Sequence, residues 1–232
     1  VILANYAHLI EKILLDTEIE HIIVTEVGDL FPFPKKVITN TVVRCVKKLV
    51  PPYRLNHYTT FNKALSLGKK RDWIRADLQH SDIAFLQYTG GTTGVSKGAI
   101  LTHGNILSNM NQIYIWMMPV FKVGQEVGIT ALPMYHIFSL TVNCLSFMRL
   151  GISNVLVTNP KDIDSYVKIL KETKFTVTTG VNTLFNALMN HPQFGSIDFS
   201  KCKVSVAGGM ALQTAVAARW RELTGTPIAE GY

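Results

Sequence analysis

The chain has 232 residues, 47% hydrophobic and 17% charged, a composition that is typical of a globular protein and excludes a disordered one. Its formal net charge of +7 suggests anionic partners. The 3 cysteines are far apart, which excludes a disulfide scaffold or a CxxC zinc site and favours a reducing, cytoplasmic location, and no apolar run is long enough for a transmembrane helix.

Apolar patterns predict strands and helices that alternate along the chain. The predicted strands comprise residues 21–25, 83–88, 127–131, 155–157, 175–178 and 204–206. The predicted helices comprise residues 9–15, 38–49, 105–116, 137–149, 163–172, 183–189 and 212–222. Long loops are predicted at residues 26–36 and 51–60. This alternation predicts an α/β fold with a largely parallel sheet covered by helices, in which ligands bind at the carboxyl ends of the strands.

Basic residues are concentrated in residues 35–71, which hold ten of the 23 lysines and arginines and no acidic residue. Within this segment apolar residues recur at helical spacing, with Arg44, Lys47 and Lys48 on the opposite side. The apolar positions are Ile38, Val42, Cys45, Val46 and Leu49. One interpretation is an ordinary surface helix that packs its apolar face on the core. The other is an interfacial helix that lies on anionic lipid.

A run rich in glycine and threonine follows the strand predicted at 83–88. It comprises Tyr88, Thr89, Gly90, Gly91, Thr92, Thr93, Gly94, Val95, Ser96, Lys97, Gly98 and Ala99. Glycines let backbone N–H groups converge on one anion, hydroxyls add donors, and the lysine adds a positive charge. The run therefore favours a polyphosphate ligand over a plain glycine-rich turn. It is not a Walker A loop, because its lysine precedes a glycine rather than a serine or threonine.

This run resembles the signature phosphate loop of the acyl-adenylate-forming enzymes, which include acyl-CoA synthetases, peptide-synthetase adenylation domains and luciferases. Further resemblances follow in the family's order at residues 101–105, 131–138, 179–183, 207–210 and 230–232. Three runs are most similar to bacterial long-chain fatty-acid–CoA ligases, namely residues 85–88, 135–138 and 180–187. The resemblance extends over the whole chain.

The resemblance implies ATP-dependent activation of a long-chain fatty acid to an acyl-adenylate and then to acyl-CoA. The implied partners are ATP, the fatty acid and coenzyme A, with Mg²⁺ as cofactor and no nucleic acid. Residues 1–232 are expected to form part of the large N-terminal ATP- and acyl-binding domain, without the C-terminal domain, and this fragment alone is not expected to make acyl-CoA. The family also implies peripheral contact with the inner face of the cell membrane, for which residues 35–71 are the local candidate.

The resemblance assigns ATP binding to residues 88–99 and to a second set near the end of the chain. That set comprises Gly208, Gly209, Glu230, Gly231 and Tyr232. Lys97 is implied to neutralise the departing pyrophosphate. Thr92, or less favourably Thr93, is implied to offer a hydroxyl to Mg²⁺, which prefers oxygen ligands. Gly208 and Gly209 are expected to let adenine lie against the backbone, with Tyr232 stacked on its other face.

The acyl group is implied to contact His136, Gly180 and Val181. His136 has two interpretations: a donor near the acyl carboxylate and α-phosphate, or only a cap for the helix that follows it. Gly180 and Val181 either line the acyl tunnel or pack in the core. For the whole chain, two alternatives remain open. One is a fatty-acyl–AMP ligase or another acyl adenylator; the other is a non-catalytic nucleotide- or lipid-binding module.

Overall fold

The structure is a computed structural model that describes residues 1–89 and 96–231. The chain divides into two compact units, Val1–Asp77 and Leu78–Tyr232. None of the helices within the described ranges has both the length and the hydropathy needed to cross a membrane.

The first unit is a small parallel sheet with short helices. Its strands, in the order β1-β2-β3, are β1 (Ile2–Leu3), β2 (Ile23–Thr25) and β3 (Thr59–Thr60). Its α-helices are α1 (Ala7–Ile13), α2 (Lys35–Thr41) and α3 (Phe61–Gly68). Single turns of 3₁₀ helix flank α1 at Ala4–Tyr6 and Leu14–Asp16. Four buried side chains form its core: Ala4, Ala7, Val24 and Leu55. The sequence patterns predicted neither α3 nor the two-residue strands.

The helix predicted at 38–49 differs from expectation in geometry and in packing. Helix α2 continues as a π-helical segment, Val42–Val46, and the helix ends there. Ile38, Val46 and Leu49 are 59%, 71% and 53% exposed. The interpretation that packs these side chains on the core is therefore wrong for this structure. Arg44 is also not an unpaired surface cation, because its guanidinium forms an ion pair with Glu26.

The second unit contains the larger sheet. Its strands are β4 (Ile83–Thr89), β5 (Lys97–Thr102), β6 (Val127–Thr130), β7 (Ser153–Leu156), β8 (Val177–Gly180), β9 (Val204–Gly208) and β10 (Ile228–Gly231). Its α-helices are α4 (His103–Met117), α5 (Ile137–Ser139), α6 (Phe147–Leu150), α7 (Ile163–Glu172), α8 (Asn182–Met189) and α9 (Thr214–Thr224). A π-helical segment, Leu140–Ser146, joins α5 to α6, so the helix predicted at 137–149 is continuous but not uniformly α. One 3₁₀ turn lies at Phe194–Ser196.

Five parallel strands form the main sheet in the order β10-β9-β8-β6-β7. The chain runs from β6 outward to β7 and then returns to the other side of β6 with β8. The gap between β6 and β8 is therefore a topological switch point, where open α/β sheets bind ligands at the carboxyl ends of their strands.

Both faces of this sheet are covered by helices. On one face, Tyr166 of α7, Phe185 of α8 and Trp220 of α9 pack in one buried cluster. On the other face, Met117 of α4 and Phe147 of α6 belong to a second cluster. The prediction of an α/β fold with a largely parallel sheet covered by helices is confirmed.

Strands β4 and β5 form a separate antiparallel hairpin, which the sequence patterns predicted only in its first half. Three pairs near its tip are Gln87 with Ala99, Tyr88 with Gly98, and Thr89 with Lys97. The two ends of the glycine-rich run therefore pair with each other as strands.

Candidate active site

A cavity of about 590 Å³ opens at the carboxyl ends of the parallel strands. It brings together four residues that the sequence analysis singled out: His136, Gly209, Glu230 and Gly231. His136 follows β6, Gly209 follows β9, and Glu230 and Gly231 end β10. These residues are distant in sequence, and the parallel order of the strands places them at one edge of the sheet.

His136 caps the helix that begins at Ile137. Its Nδ1 accepts a hydrogen bond from the backbone N–H of Phe138 at 3.3 Å. A neutral imidazole with Nδ1 as acceptor carries its proton on Nε2. The capping interpretation is therefore confirmed, and it is compatible with donation from Nε2 to a ligand. The exposed ring belongs to the cavity wall.

The glycines at the end of β9 have different surroundings. A Cβ on Gly208 would lie 2.5 Å from Cε2 of Phe138, so this ring occupies the space that a side chain would need. Gly209 has a φ of +78°, which favours glycine. A Cβ on Gly209 would lie 3.8 Å from His136 Cε1 and 4.0 Å from Val181 Cγ1. Gly209 thus lies between the loops that follow β6 and β8, at the switch point of the sheet.

The predicted acyl-contact residues Gly180 and Val181 lie where β8 ends and α8 begins. Gly180 is buried, and a Cβ there would lie 3.1 Å from the ring of Phe185. Close packing against that ring is enough to explain this glycine. Val181 precedes Asn182, whose Oδ1 accepts a hydrogen bond from the backbone N–H of Gln213 at 2.9 Å. This bond connects the loops that follow β8 and β9.

Glu230 is held in place by the loop before α9. Its Oε1 accepts a hydrogen bond from the backbone N–H of Leu212 at 3.0 Å. Glu230 and its neighbour Gly231 both line the cavity. Tyr232, predicted to stack on adenine, lies outside the described residues.

The described residues of the phosphate run are those of the hairpin. Ser96, Lys97, Gly98 and Ala99 are exposed, as is Tyr88. A Cβ on Gly98 would lie 3.2 Å from the ring of Tyr88, so this ring covers the glycine across the hairpin. That contact gives both residues a structural role in addition to the predicted one.

The centre of the phosphate run contains the proposed metal ligand, Thr92. Gly90, Gly91, Thr92, Thr93, Gly94 and Val95 lie outside the described residues. Within the described ranges, no group of three or more His, Cys, Asp or Glu side chains could hold a metal ion. The Mg²⁺ prediction therefore rests on Thr92 and on the resemblance.

One face of α4 lines the cavity and was not predicted to do so. Asn109, Gln112, Ile113 and Trp116 contribute to the wall, together with Met117. Their spacing of i, i+3, i+4 and i+7 is the signal that would have placed them on one helix face. Thr141 and Val142 of the π-helical segment also line the cavity.

The cavity combines an apolar region with a small number of polar groups. Ile113, Trp116, Val142, Val206 and Ala229 supply apolar surface. Polar atoms come from His136, Thr141 and Glu230 and from the two amides of α4. Such a site suits a ligand that has an apolar chain and a polar or charged head. The described wall offers no arrangement of nucleophile and base, so positioning and charge stabilisation are what it can contribute.

The model of the family described as "AMP-binding enzyme" matches residues 4–232. The chain belongs to this family. The resemblance given by the phosphate run is thereby confirmed.

Curated relatives match the chain along its entire length. It is 52% identical over 236 residues to a long-chain-fatty-acid–CoA ligase of Haemophilus influenzae, covering 100% of this chain and 42% of that protein. It is 48% identical over 232 residues to the ligase of the same name from Yersinia pestis, covering 100% of this chain and 41% of that protein. The chain therefore spans less than half the length of these relatives.

Solved structures share the fold. The N-terminal domain of FACL13 from Mycobacterium tuberculosis has a TM-score of 0.68 at 18% identity, over 97% of this chain and 53% of that one. The anthranilate CoA ligase AuaEII in complex with anthranoyl-AMP also gives 0.68, at 19% identity, over 96% of this chain and 42% of that one. At these identities the likeness supports the fold alone.

Proposed function

We propose that this chain supplies the ATP- and acyl-binding part of an AMP-forming long-chain fatty-acid–CoA ligase. In the first step, a carboxylate oxygen of the fatty acid attacks the α-phosphorus of ATP, the bond to the β-phosphate breaks, and acyl-adenylate and pyrophosphate form. In the second step, the thiol of coenzyme A displaces AMP and loses its proton. The 52% identity to a ligase of that name is the observation that carries the proposal.

Each proposed role has its own support. The cavity at the switch point suits an acyl-adenylate, because apolar surface and polar groups meet there. His136 would donate from Nε2 near the acyl carboxylate, and Gly209 would leave its backbone accessible to the nucleotide. Lys97, exposed at the start of β5, would neutralise the departing pyrophosphate. The proposed ATP site is completed by residues 88–99, Gly208, Glu230, Gly231 and Tyr232. Gly180 and Val181 complete the proposed acyl site.

Mg²⁺ would supply charge neutralisation on the phosphates when bound. Thr92 is the proposed ligand within this chain, since a threonine hydroxyl offers the oxygen that this ion prefers.

The test is ATP–pyrophosphate exchange by a protein of the relatives' length that contains these residues, called here the full-length ligase. We expect exchange that depends on a long-chain fatty acid, and AMP release that accelerates when coenzyme A is added. Exchange without use of coenzyme A would indicate a fatty-acyl–AMP ligase or another acyl adenylator. Nucleotide binding without exchange would indicate a non-catalytic binding module and contradict the proposal.

A peripheral contact with anionic membrane is a second proposal, supported by the surface of α2 and its π-helical continuation. Ile38, Val46 and Leu49 are exposed there, and Lys47 and Lys48 are exposed next to them. Exposed apolar side chains beside cations are the features of a helix that lies in a membrane interface. Each lysine near an anionic surface contributes about 1 kcal/mol before screening by salt.

Replacing Lys47 and Lys48 with glutamine should reduce co-sedimentation of the full-length ligase with anionic vesicles at low salt. Wild-type binding should itself fall as salt rises. The matched control replaces Lys69 and Lys70, an exposed pair in the same basic segment, and has the same net charge. Equal losses in both variants would mean that overall charge, and not this surface, is responsible.

A further inference from the structure

The π-helical segment Leu140–Ser146 forms part of the cavity wall and is held by several side-chain hydrogen bonds. Two of its residues, Thr141 and Val142, line the cavity. Two of its backbone carbonyls accept side-chain hydrogen bonds: Thr141 O from Ser146 Oγ at 2.7 Å, and Asn143 O from Asn154 Nδ2 at 2.7 Å. Ser146 and Asn154 therefore stabilise carbonyls in a helix geometry that is rare and often found at functional sites.

The side chain of Asn143 joins this wall to the sheet. Asn143 and Thr179 of β8 are both fully buried. Asn143 Nδ2 lies 2.9 Å from Thr179 Oγ1, and that hydroxyl lies 3.2 Å from Asn143 Oδ1. Asn154 of β7 accepts at Oδ1 from Thr130 Oγ1 of β6 at 2.7 Å. Side chains from three adjacent strands thus hold one segment of the wall.

A fully bonded polar network in an apolar layer fixes one arrangement of the elements that it joins. Any shift of the wall along the sheet would leave a buried amide or hydroxyl without its partner, which is costly. Apolar contacts alone are tolerant of such shifts, since they are not directional. Thr179 also lies directly before Gly180 and Val181, the proposed acyl-contact residues.

We propose that the Asn143–Thr179 pair is a positioning element that sets the shape of the acyl cavity and thereby the fit of the fatty-acid chain. The inference rests on the proposed function and extends it to residues that do not touch the substrate. Loss of the pair lets Thr141 and Val142 move relative to β8, so the acyl chain binds less well while the phosphate run is unaffected.

Thr178 provides a matched control on the same strand. It is 2% exposed, and its Oγ1 lies 3.5 Å from the hydroxyl of the buried Tyr166. Neighbouring residues of a strand point to opposite faces, so Thr178 faces α7 while Thr179 faces the cavity wall. Replacement of either threonine by valine removes one buried hydroxyl and keeps the shape of the side chain. The two variants therefore perturb opposite sides of the sheet, and their melting temperatures show how much stability each has lost.

The experiment compares Thr179→Val and Thr178→Val in the full-length ligase, with KM and kcat measured for palmitate, decanoate and ATP. We expect Thr179→Val to raise the KM for palmitate about fivefold, the effect of one net hydrogen bond on an equilibrium, and to change the palmitate-to-decanoate preference. Its KM for ATP should rise less, because Gly209, Glu230 and Gly231 of the proposed ATP site lie on other elements of the cavity wall. Thr178→Val should alter none of these, and Thr179→Ser, which keeps the hydroxyl, should restore the palmitate KM.

If Thr179→Val and Thr178→Val have equal KM values for palmitate and similar melting temperatures, the proposed positioning role of the Asn143–Thr179 pair is overturned. A rise in the ATP KM that matches the rise for palmitate would also overturn it, because the effect would then be general. Absence of fatty-acid-dependent exchange in the wild type is a different failure. It would remove the proposed function and this inference together.

Discussion

Replacing Lys97 with alanine should lower the adenylation rate of the full-length ligase by about 10²–10³, the usual effect of losing one preorganised charge donor. The side chain is exposed, and the backbone of Lys97 is fixed in β5 by pairing with Thr89 across the hairpin. The ammonium group is therefore attached to a fixed backbone position that follows residues 90–96 in the sequence. There it would stabilise the negative charge that develops on pyrophosphate as it leaves.

The rate is measured as kcat for ATP–pyrophosphate exchange, together with the KM for fatty acid. Since Lys97 is proposed to act on the phosphates, the fatty-acid KM should change little. Lys97→Arg keeps the charge and should retain more activity than Lys97→Ala. Lys171→Ala, at an exposed lysine in the last turn of α7, is the control for simple loss of a surface charge. A rate for Lys97→Ala equal to that of the control would remove Lys97 from the mechanism.

Local sequence signals predicted the elements whose ends are fixed by local chemistry. Helix α7 has the predicted bounds, because Asp162 caps it by accepting from the Ser165 N–H at 3.1 Å. The capping box of Thr102 and Asn105 fixes the start of α4 at His103, two residues before the predicted start at 105. Both capping side chains lie within three residues of the N–H groups that they satisfy, so the local sequence is enough to indicate where each helix begins.

The strand order and the position of β5 depend on pairing between strands, and local sequence patterns do not reveal that pairing. Strand β5 begins inside the glycine-rich run, and its partner β4 is identified only by the cross-strand pairing. Strand β10 is a four-residue edge strand that follows Pro227 and takes its register from β9. The switch point between β6 and β8 depends on this order, which hydropathy patterns do not specify.

The candidate site was predicted where a motif marked it and missed where only geometry did. His136, Gly209, Glu230 and Gly231 stood in family-like runs and line the cavity. Gly180, Val181 and Gly208 also stood in such runs, but they are not among the lining residues of this cavity. The contribution of α4 was missed because its amides and apolar residues do not form a motif. The π-helical wall was missed for a different reason: a seven-residue π segment differs from an α-helix by too little in apolar spacing to be detected.

Replacing Lys203 with methionine should lower the free energy of unfolding of the chain by about 3 kcal/mol at neutral pH, because it leaves a buried carboxylate without its cation. Lys203 Nζ lies 2.6 Å from Glu126 Oε1 and 3.1 Å from the carbonyl oxygen of Val120. The side chain of Glu126 is only 2% exposed. The pair lies just before β6 and β9, at the amino ends of the strands, so its loss should spare the cavity at the other end.

Replacing the other member of the pair, Glu126, should lower the free energy of unfolding by a smaller amount. Glu126→Gln leaves a lysine whose side chain is 33% exposed and can turn toward water, so a loss of about 1–2 kcal/mol is expected. The double variant should lose less than the sum of the single variants, because it contains no buried carboxylate without its cation. As a matched control, Lys168→Met breaks the Lys168–Glu172 pair, whose side chains are 75% and 66% exposed, and should cost under about 0.5 kcal/mol.

The pH dependence of unfolding separates loss of charge pairing from loss of packing. Burial raises the pKa of the Glu126 carboxyl, but hydrogen bonds from the Lys122 amide and from Lys203 to Oε1 outweigh it, so the pKa lies below its ordinary value of 4.5. The stabilisation from Glu126 is therefore present at neutral pH and is lost as the pH falls below 4.5 through the lowered pKa. Urea denaturation followed by circular dichroism should show the wild type and Lys203→Met converging in stability as the medium becomes acidic. A difference between them that stays constant from neutral to acidic pH would show that Lys203 stabilises the fold by packing, and not through the carboxylate.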